Sequence, residues 1–543
     1  MPETILQLDP RDNVLVALAT LDLGTQVRLG SSSSPVICMV TQTIPAKHKM
    51  ALNDLKPGDL IRMYGMVVGE VVQPIARGGL LTTRNIRHRA ADYTAKRQPA
   101  PTHVPDASAW AARTFMGYHR PDGQVGTRNY WLVLPLVFCE NRNIEQMREA
   151  LEEELGYGSA KSDYRQHVRK LIHGSTSAEE ITQVRNERIF PRLDGIRFLT
   201  HQGGCGGNRQ DSQALCGLLA GYIHNPNVAG ATVLSLGCQH AQASLLMDEL
   251  RARDPELRKP VLIFDQQKSG SEASLMEQAL SETYAALAHA NTAVRAPAPL
   301  SALTLGLQCG GSDGFSGISA NPAVGYVSDL VVGVGGTSML SEFPELHGVE
   351  QELINRCATD ALAARFRDLM QTYSAQAKAV NSGFEMNPSP GNIRDGLITD
   401  AMKSAGAARK GGVSPVSGVL DYPEYFSVPG FNLQCTPGND VESATAQVGA
   451  GANLVLFTTG LGTPTGNPIT PVIKIATNTV MAERMKDIVD FDAGGIVRGE
   501  LSIKECAENL LELSLEVASG ERLTKAELNG QSDFIPWKRG VSL

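Results

Sequence analysis

The chain of 543 residues lacks several features that would place it quickly. No apolar run approaches the ~20 residues that span a bilayer. The opening MPETILQLDPRDN has neither the basic nor the apolar stretch of a secretion signal, so a cytoplasmic protein is expected, with no membrane partner. Positive charge is not in excess either. The formal net charge is −8, which argues against nucleic-acid binding and leaves any carboxylate-binding site to local lysines and arginines. Neither GxxxxGK[ST] nor a GxGxxG with an acidic residue at ribose distance occurs, so no ATP and no NAD are expected. The nine cysteines are odd in number, spread along the chain and without a CxxC pair, which excludes a disulfide framework and points to reduced thiols. Repeats, heptads and low-complexity arms are missing too, which disfavours a scaffold.

What is present is glycine, 53 residues of it, clustered between strand-like runs as in an enzyme rich in ligand-binding loops. A chain this long divides into several domains. Residues 1–95 read as a small β-rich module of short runs separated by Gly, Pro and Asp turns. Residues 96–114, rich in proline and alanine, read as a linker. From 115 to 294 the pattern is strand, glycine-rich loop, amphipathic helix, repeated in GIRFLTHQGGCGGNRQDSQALCGLLAGYIH and GATVLSLGCQHAQASLLMDELRAR. Such alternation predicts a parallel sheet covered by helices. The charged stretch 157–190 reads as a surface excursion and 295–299 as a second connector. Residues 295–543 read as a further α/β domain whose C-terminal tail docks through Phe534 and Trp537. The expected fold class is therefore α/β: a small N-terminal β-rich module followed by a two-part α/β body with mainly parallel sheets. A homo-oligomer is expected.

Ligands of parallel sheets bind at the carboxyl ends of the strands, and the chemistry-bearing residues gather there. LQCGGSDGFSGISANP, residues 307–322, follows an apolar strand-like run with a cysteine, a carboxylate and almost nothing that fills a core. Cys205, Cys238 and Cys309 each sit beside glycine after a strand-like run. Three thiolates on one [4Fe–4S] cluster would leave an open iron as Lewis acid. A mononuclear Fe(II) or Mn(II) site built on His201, His240 and Asp313 is the competing arrangement. Cys139 also ends an apolar run and can join this group, whereas Cys216, Cys357 and Cys506 read as helix packing. Lys410 and Lys474, close to glycines, suit a carboxylate. His48, between Lys47 and Lys49, suits an anionic ligand.

Longer phrases carry a family resemblance. IPAKHKMALNDLKPGDLIRMYGMVVGEV resembles the SAF domain, a β-clip module. GYHRPDGQVGTRNYW, LQCGGSDGFSGISANPAVGYVSD, GGTSMLSEFPELHGVEQEL, MNPSPGN, TPGND and FTTGLGTPTGNPITPVIKIATN resemble the altronate/galactarate dehydratase family over essentially the whole chain. Many members have an acidic residue where this chain has Gln239, arginine where it has Leu461, glycine where it has Asp395, and HxHN where it has TTRN. The resemblance implies metal-assisted dehydration of a sugar acid, D-altronate to 2-dehydro-3-deoxy-D-gluconate. A galactarate dehydratase, a sulfolactate sulfo-lyase-like enzyme and a non-catalytic sugar-acid binder are the alternatives. On this reading the cofactor is Fe(II) or an iron–sulfur cluster, with Mn(II) as a further option, held by Cys205, Cys238, Cys309, His201 and Asp313. His240, Glu342, Lys403 and Lys474 are the expected catalytic groups. Arg128, Asn129, Ser312, Asn321, Asn392 and Lys410 are expected to bind substrate.

Overall fold

The computed structural model describes residues 4–29, 35–94, 96–99, 102–158, 164, 167, 168, 171, 172 and 187–540. The expected surface excursion at 157–190 lies largely outside them.

The front module consists of short strands between Ile5 and Arg87, paired antiparallel in small sheets of two and three strands. It does not stand apart from the body. Tyr64, Val68 and Ile86 belong to one hydrophobic cluster with Leu305, Leu346 and Met402 of the C-terminal half. The AKHKM loop reaches across: Lys47 Nζ lies 3.0 Å from Asp313 Oδ2 and 2.8 Å from Asp395 Oδ1. Lys49 Nζ donates to the carbonyl of Gly396 at 2.7 Å. His48 Nε2 meets the Arg394 carbonyl at 3.0 Å. The expectation of an anionic ligand at His48 is thereby corrected, because these side chains grip the body itself. Asp395 is one half of that grip.

A middle sheet contains β1 (Tyr130–Pro135), β2 (Gly195–Phe198), β3 (Val228–Ser235) and β4 (Val261–Asp265), in the order β2-β1-β3-β4 with every pair parallel. All six residues of β1, YWLVLP, are buried, as expected of a strand covered on both faces. Helix α1 (Arg209–His224) starts at Asn208, whose side chain accepts from the Asp211 N–H. The 295–299 segment is not a free connector. Ala296–Pro299 pairs antiparallel with Thr114–His119 at a sheet edge, where prolines without an N–H are tolerated.

The large sheet has seven strands, all parallel: β5 (Thr304–Cys309), β6 (Thr337–Leu340), β7 (Val416–Leu420), β8 (Gly430–Gln434), β9 (Leu454–Thr459), β10 (Val472–Ala476) and β11 (Phe491–Asp492), in the order β7-β8-β6-β5-β9-β10-β11. The first strand in sequence, β5, is central, and the chain leaves it first to one side and later to the other. This reversal opens a crevice beyond the carboxyl end of β5, and the last residue of β5 is Cys309. The tail closes over the side of the body: Trp537 lies 5.2 Å from Tyr373 and 5.4 Å from Tyr422, ring centre to ring centre.

Candidate active site

Four segments converge on the end of β5. The turn after β6 brings Glu342 and Glu345. Helix α2 (Asp400–Ala407) and the turn after it bring Lys403 and Lys410. Helix α3 (Asp440–Gly449) brings Asp440 in its first turn. Glu342 has φ 65° and ψ 58°, a left-handed conformation costly for a side chain with a Cβ and characteristic of sites where geometry outranks local comfort.

Cys309, Glu342, Glu345 and Lys410 are all buried. Lys410 Nζ donates to Cys309 Sγ at 2.7 Å and to Glu342 Oε2 at 3.1 Å. Cys309 Sγ lies 3.5 Å from Glu345 Oε2, and Lys403 Nζ lies 2.7 Å from Glu345 Oε1. Gln308 Nε2 donates to Glu342 Oε1 at 2.7 Å. Burial, then the neighbouring Glu345 carboxylate, push the Glu342 carboxyl up. Burial alone would also raise Glu345, but Lys403 and Lys410 outweigh it and hold that group below its ordinary range. The Cys309 thiol is pushed up by burial against the pull of Lys410. Two amino groups, two carboxyl groups and a thiol thus share one network.

Outside this buried core is a cavity of about 480 Å³ lined by Cys309, Ser312, Glu345, Asn392, Lys403 and Asp440, with Leu461 on one wall. That size is within the ~300–1,000 Å³ of small-ligand sites. Burial and Glu345 raise the Asp440 carboxyl to about 6. Gly310 is a glycine for a local reason: a Cβ there would strike the Asp440 carboxylate. Asn392 Nδ2 donates to the Ser312 carbonyl at 2.7 Å and so fixes the loop after β5.

Cys309, Glu342, Lys403, Lys410, Ser312 and Asn392 are thus brought together, and other expected residues are elsewhere. Asp313 is a partner of Lys47 and also accepts from Thr477 Oγ1 at 3.0 Å, so its oxygens are taken. His201 uses both ring nitrogens, on the Pro135 carbonyl and the Gly203 N–H. Lys474 donates to the Thr465 carbonyl and does not line the cavity. Arg128 is buried against Glu527, 2.7 Å away, and Asn129 ties the carbonyls of Arg192 and Ala290. Asn321 bridges the Gly406 carbonyl and Thr458. His240 is exposed and lies outside the cavity lining.

The cysteines regroup. Cys205 and Cys238 are exposed, as is Cys139, whereas Cys309 is buried. The exposed three follow β2, β3 and β1, adjacent strands of the middle sheet. Their loops are joined by Phe138 N–H to the Gly203 carbonyl at 3.1 Å and Ala241 N–H to the Gly204 carbonyl at 3.0 Å. The candidate metal ligands around Cys309 are instead Glu342 and Glu345, one donor atom from each of the three lying within 4.8 Å of the others. A sulfur and two carboxylate oxygens suit a single borderline divalent ion, and Lys410 now supplies positive charge at that place. Glu345 and Asp440 went unread in the sequence. Glu345 lies in an apolar turn, FPEL, and Asp440 closes TPGND, which reads as a loop. Their signal was the same, a carboxylate at a turn after a buried strand.

A parallel sheet whose strand order reverses at its central strand, with acids, amines and a thiol at that switch point, defines an α/β enzyme of acid–base chemistry. Comparison with known proteins narrows this. Residues 3–89 match the altronate/galactarate dehydratase SAF domain, 117–291 the second domain of D-galactarate dehydratase/altronate hydrolase, and 300–542 the C-terminal domain of D-galactarate/altronate dehydratase. The chain is 33% identical to the altronate dehydratase of Escherichia coli (strain K12), covering 99% of each, and 32% identical to that of Bacillus subtilis (strain 168), covering all of both. It is 33% identical to the galactarate dehydratase (L-threo-forming) of Escherichia coli (strain K12), over 89% of this chain and 87% of that one. The chain belongs to the altronate/galactarate dehydratase family and is a sugar-acid dehydratase, a hydro-lyase. No described helix is long and apolar enough to cross a membrane.

Proposed function

We propose that the substrate is an aldonate with one carboxylate, D-altronate, converted to 2-dehydro-3-deoxy-D-gluconate and water. The observation that supports this over a dicarboxylate is the cavity lining: among the described residues Lys403, shared with Glu345, is its single cationic side chain, and Leu461 offers an apolar wall. An aldarate, or a sulfolactate with its second anion, would leave a charge unpaired.

Lys403, while keeping its contact with Glu345, also meets the substrate carboxylate and stabilises the enediolate-like charge that grows as the C2 proton leaves. Asp440, ionised above about pH 6, takes that proton. The Cys309–Lys410–Glu342 group faces the cavity through sulfur and returns a proton to the departing C3 hydroxyl, so water leaves and the enol relaxes to the 2-oxo acid. A divalent iron or manganese ion held by Cys309, Glu342 and Glu345 would add Lewis-acid polarisation of substrate oxygen, and with the thiol and both carboxyls deprotonated as ligands Lys410 would be the proton donor of the group. A cluster is the less favoured cofactor at Cys309, because no second thiol joins its ligand set among the described residues. If an iron–sulfur cluster is bound, its thiols are Cys139, Cys205 and Cys238. The test is side-by-side turnover of altronate, galactarate and sulfolactate under anaerobic conditions with Fe(II); faster turnover of either dianion contradicts the aldonate reading.

A further inference from the structure

Behind the catalytic pocket, where the front module meets the body, is another group of metal-binding side chains. His88 follows the last strand of the front module, His347 follows the turn that carries Glu345, and Asp400 opens α2. Each offers a donor atom within 4.8 Å of the other two. The imidazoles lie 5.2 Å apart with planes 23° from parallel. Asp400 is fully buried, and neither of its carboxylate oxygens has a hydrogen-bond partner, a costly state for an ionised carboxylate. His347 Nδ1 lies 2.9 Å from Glu350 Oε1, the carboxylate–histidine pairing that orients a metal-bound imidazole and leaves Nε2 free to bind. His88 Nδ1 accepts only a long 3.4 Å contact from the Ala401 N–H. Two imidazoles and one carboxylate, with one side open to solvent through the half-buried histidines, match the donor preference of zinc and ferrous iron.

We propose that His88, His347 and Asp400 bind a borderline divalent metal ion, separate from the catalytic ligands, that ties the front module to the two segments carrying Glu345 and Lys403. His347 is two residues beyond Glu345, and Asp400 is three residues before Lys403. The ion therefore clamps both sides of the Glu345–Lys403 ion pair without touching the cavity. It acts through positioning.

Cobalt(II) tests this on the chelator-stripped full-length chain, because thiolate ligation adds sulfur-to-cobalt charge-transfer bands that a histidine–carboxylate site lacks. The expected result, with the catalytic ligand set disabled by Cys309→Ala, is ligand-field absorption and a raised melting temperature on adding cobalt, both lost when His347→Phe or Asp400→Asn is combined with Cys309→Ala. Glu350→Gln should weaken binding about 10–100-fold. Asp400→Asn is nearly isosteric and relieves a buried charge, so it keeps the test valid should His347→Phe fold poorly. Cobalt absorption absent from Cys309→Ala, or undiminished when Asp400→Asn is combined with it, would overturn the proposal.

Discussion

Lys410 donates to the sulfur of Cys309 at 2.7 Å and to Glu342 at 3.1 Å, with all three side chains buried. Burial works against the Lys410 charge, but Cys309 and Glu342 outweigh it and raise its affinity for the proton. This ammonium is the counter-ion of Glu342 and Cys309, as Lys403 is of Glu345. Lys410→Met leaves Glu342 and Cys309 without it, and removal of one member of a buried pair costs about 3–5 kcal/mol. Denaturant unfolding should show that loss together with loss of turnover; unchanged stability would mean that Glu342 and Cys309 are neutral without help.

On the proposed mechanism Asp440 carries the pH dependence of the reaction. Its carboxyl titrates at about 6 in the folded protein, so a base at this position is protonated and idle below that pH and active above it. The kcat/KM of the wild type should fall as pH drops through 6. Asp440→Asn should lower kcat by about 10²–10⁴-fold and abolish that limb. A variant with the same acid limb would place the base elsewhere.

Lys49 links the front module to stability. Burial lowers its ammonium from the ordinary 10.5 to about 7, against the pull of Asp313. The unfolded chain therefore holds more protons than the folded one between pH 7 and 10.5, and stability rises with pH across that window. Below 7 both states are protonated and the penalty is at its full size. Lys259 behaves alike and contributes separately. Urea midpoints measured from pH 7 to 9 should climb in the wild type and climb less steeply in Lys49→Met.

The α/β alternation and the importance of the loop after β5 were legible because apolar strands and glycine-rich, polar loops leave local traces. The grouping of the cysteines was not. Cys205, Cys238 and Cys309 have the same local setting, but strand order assigns two of them to the middle sheet and one to the large sheet, and no local pattern encodes strand order. Asp313 reads in the sequence as a metal ligand, yet its partner is Lys47 in a different module. Lys474 sits among apolar β10 residues beside glycine-rich loops, and only its Thr465 contact shows that its charge is spent internally. Asp440 needed the fold most, since a helix N-terminal aspartate is ordinarily a cap or a solvated charge.

The thiol edge of the middle sheet has its own test. Anaerobic reconstitution with iron and sulfide should give broad visible absorption only if Cys139, Cys205 and Cys238 hold a cluster. Cys205→Ser should then bleach it while Cys309→Ser does not. The reverse pattern would return the cluster to the catalytic pocket.

The most direct measurement is product formation from D-altronate by the full-length chain, supplied anaerobically with Fe(II), beside Lys403→Met and Asp440→Asn. The expected result is 2-dehydro-3-deoxy-D-gluconate from the wild type, with turnover reduced at least about 100-fold in both variants. Binding of altronate without turnover by the wild type, or variants as active as the wild type, would contradict the assignment of this cavity as the place where water is eliminated.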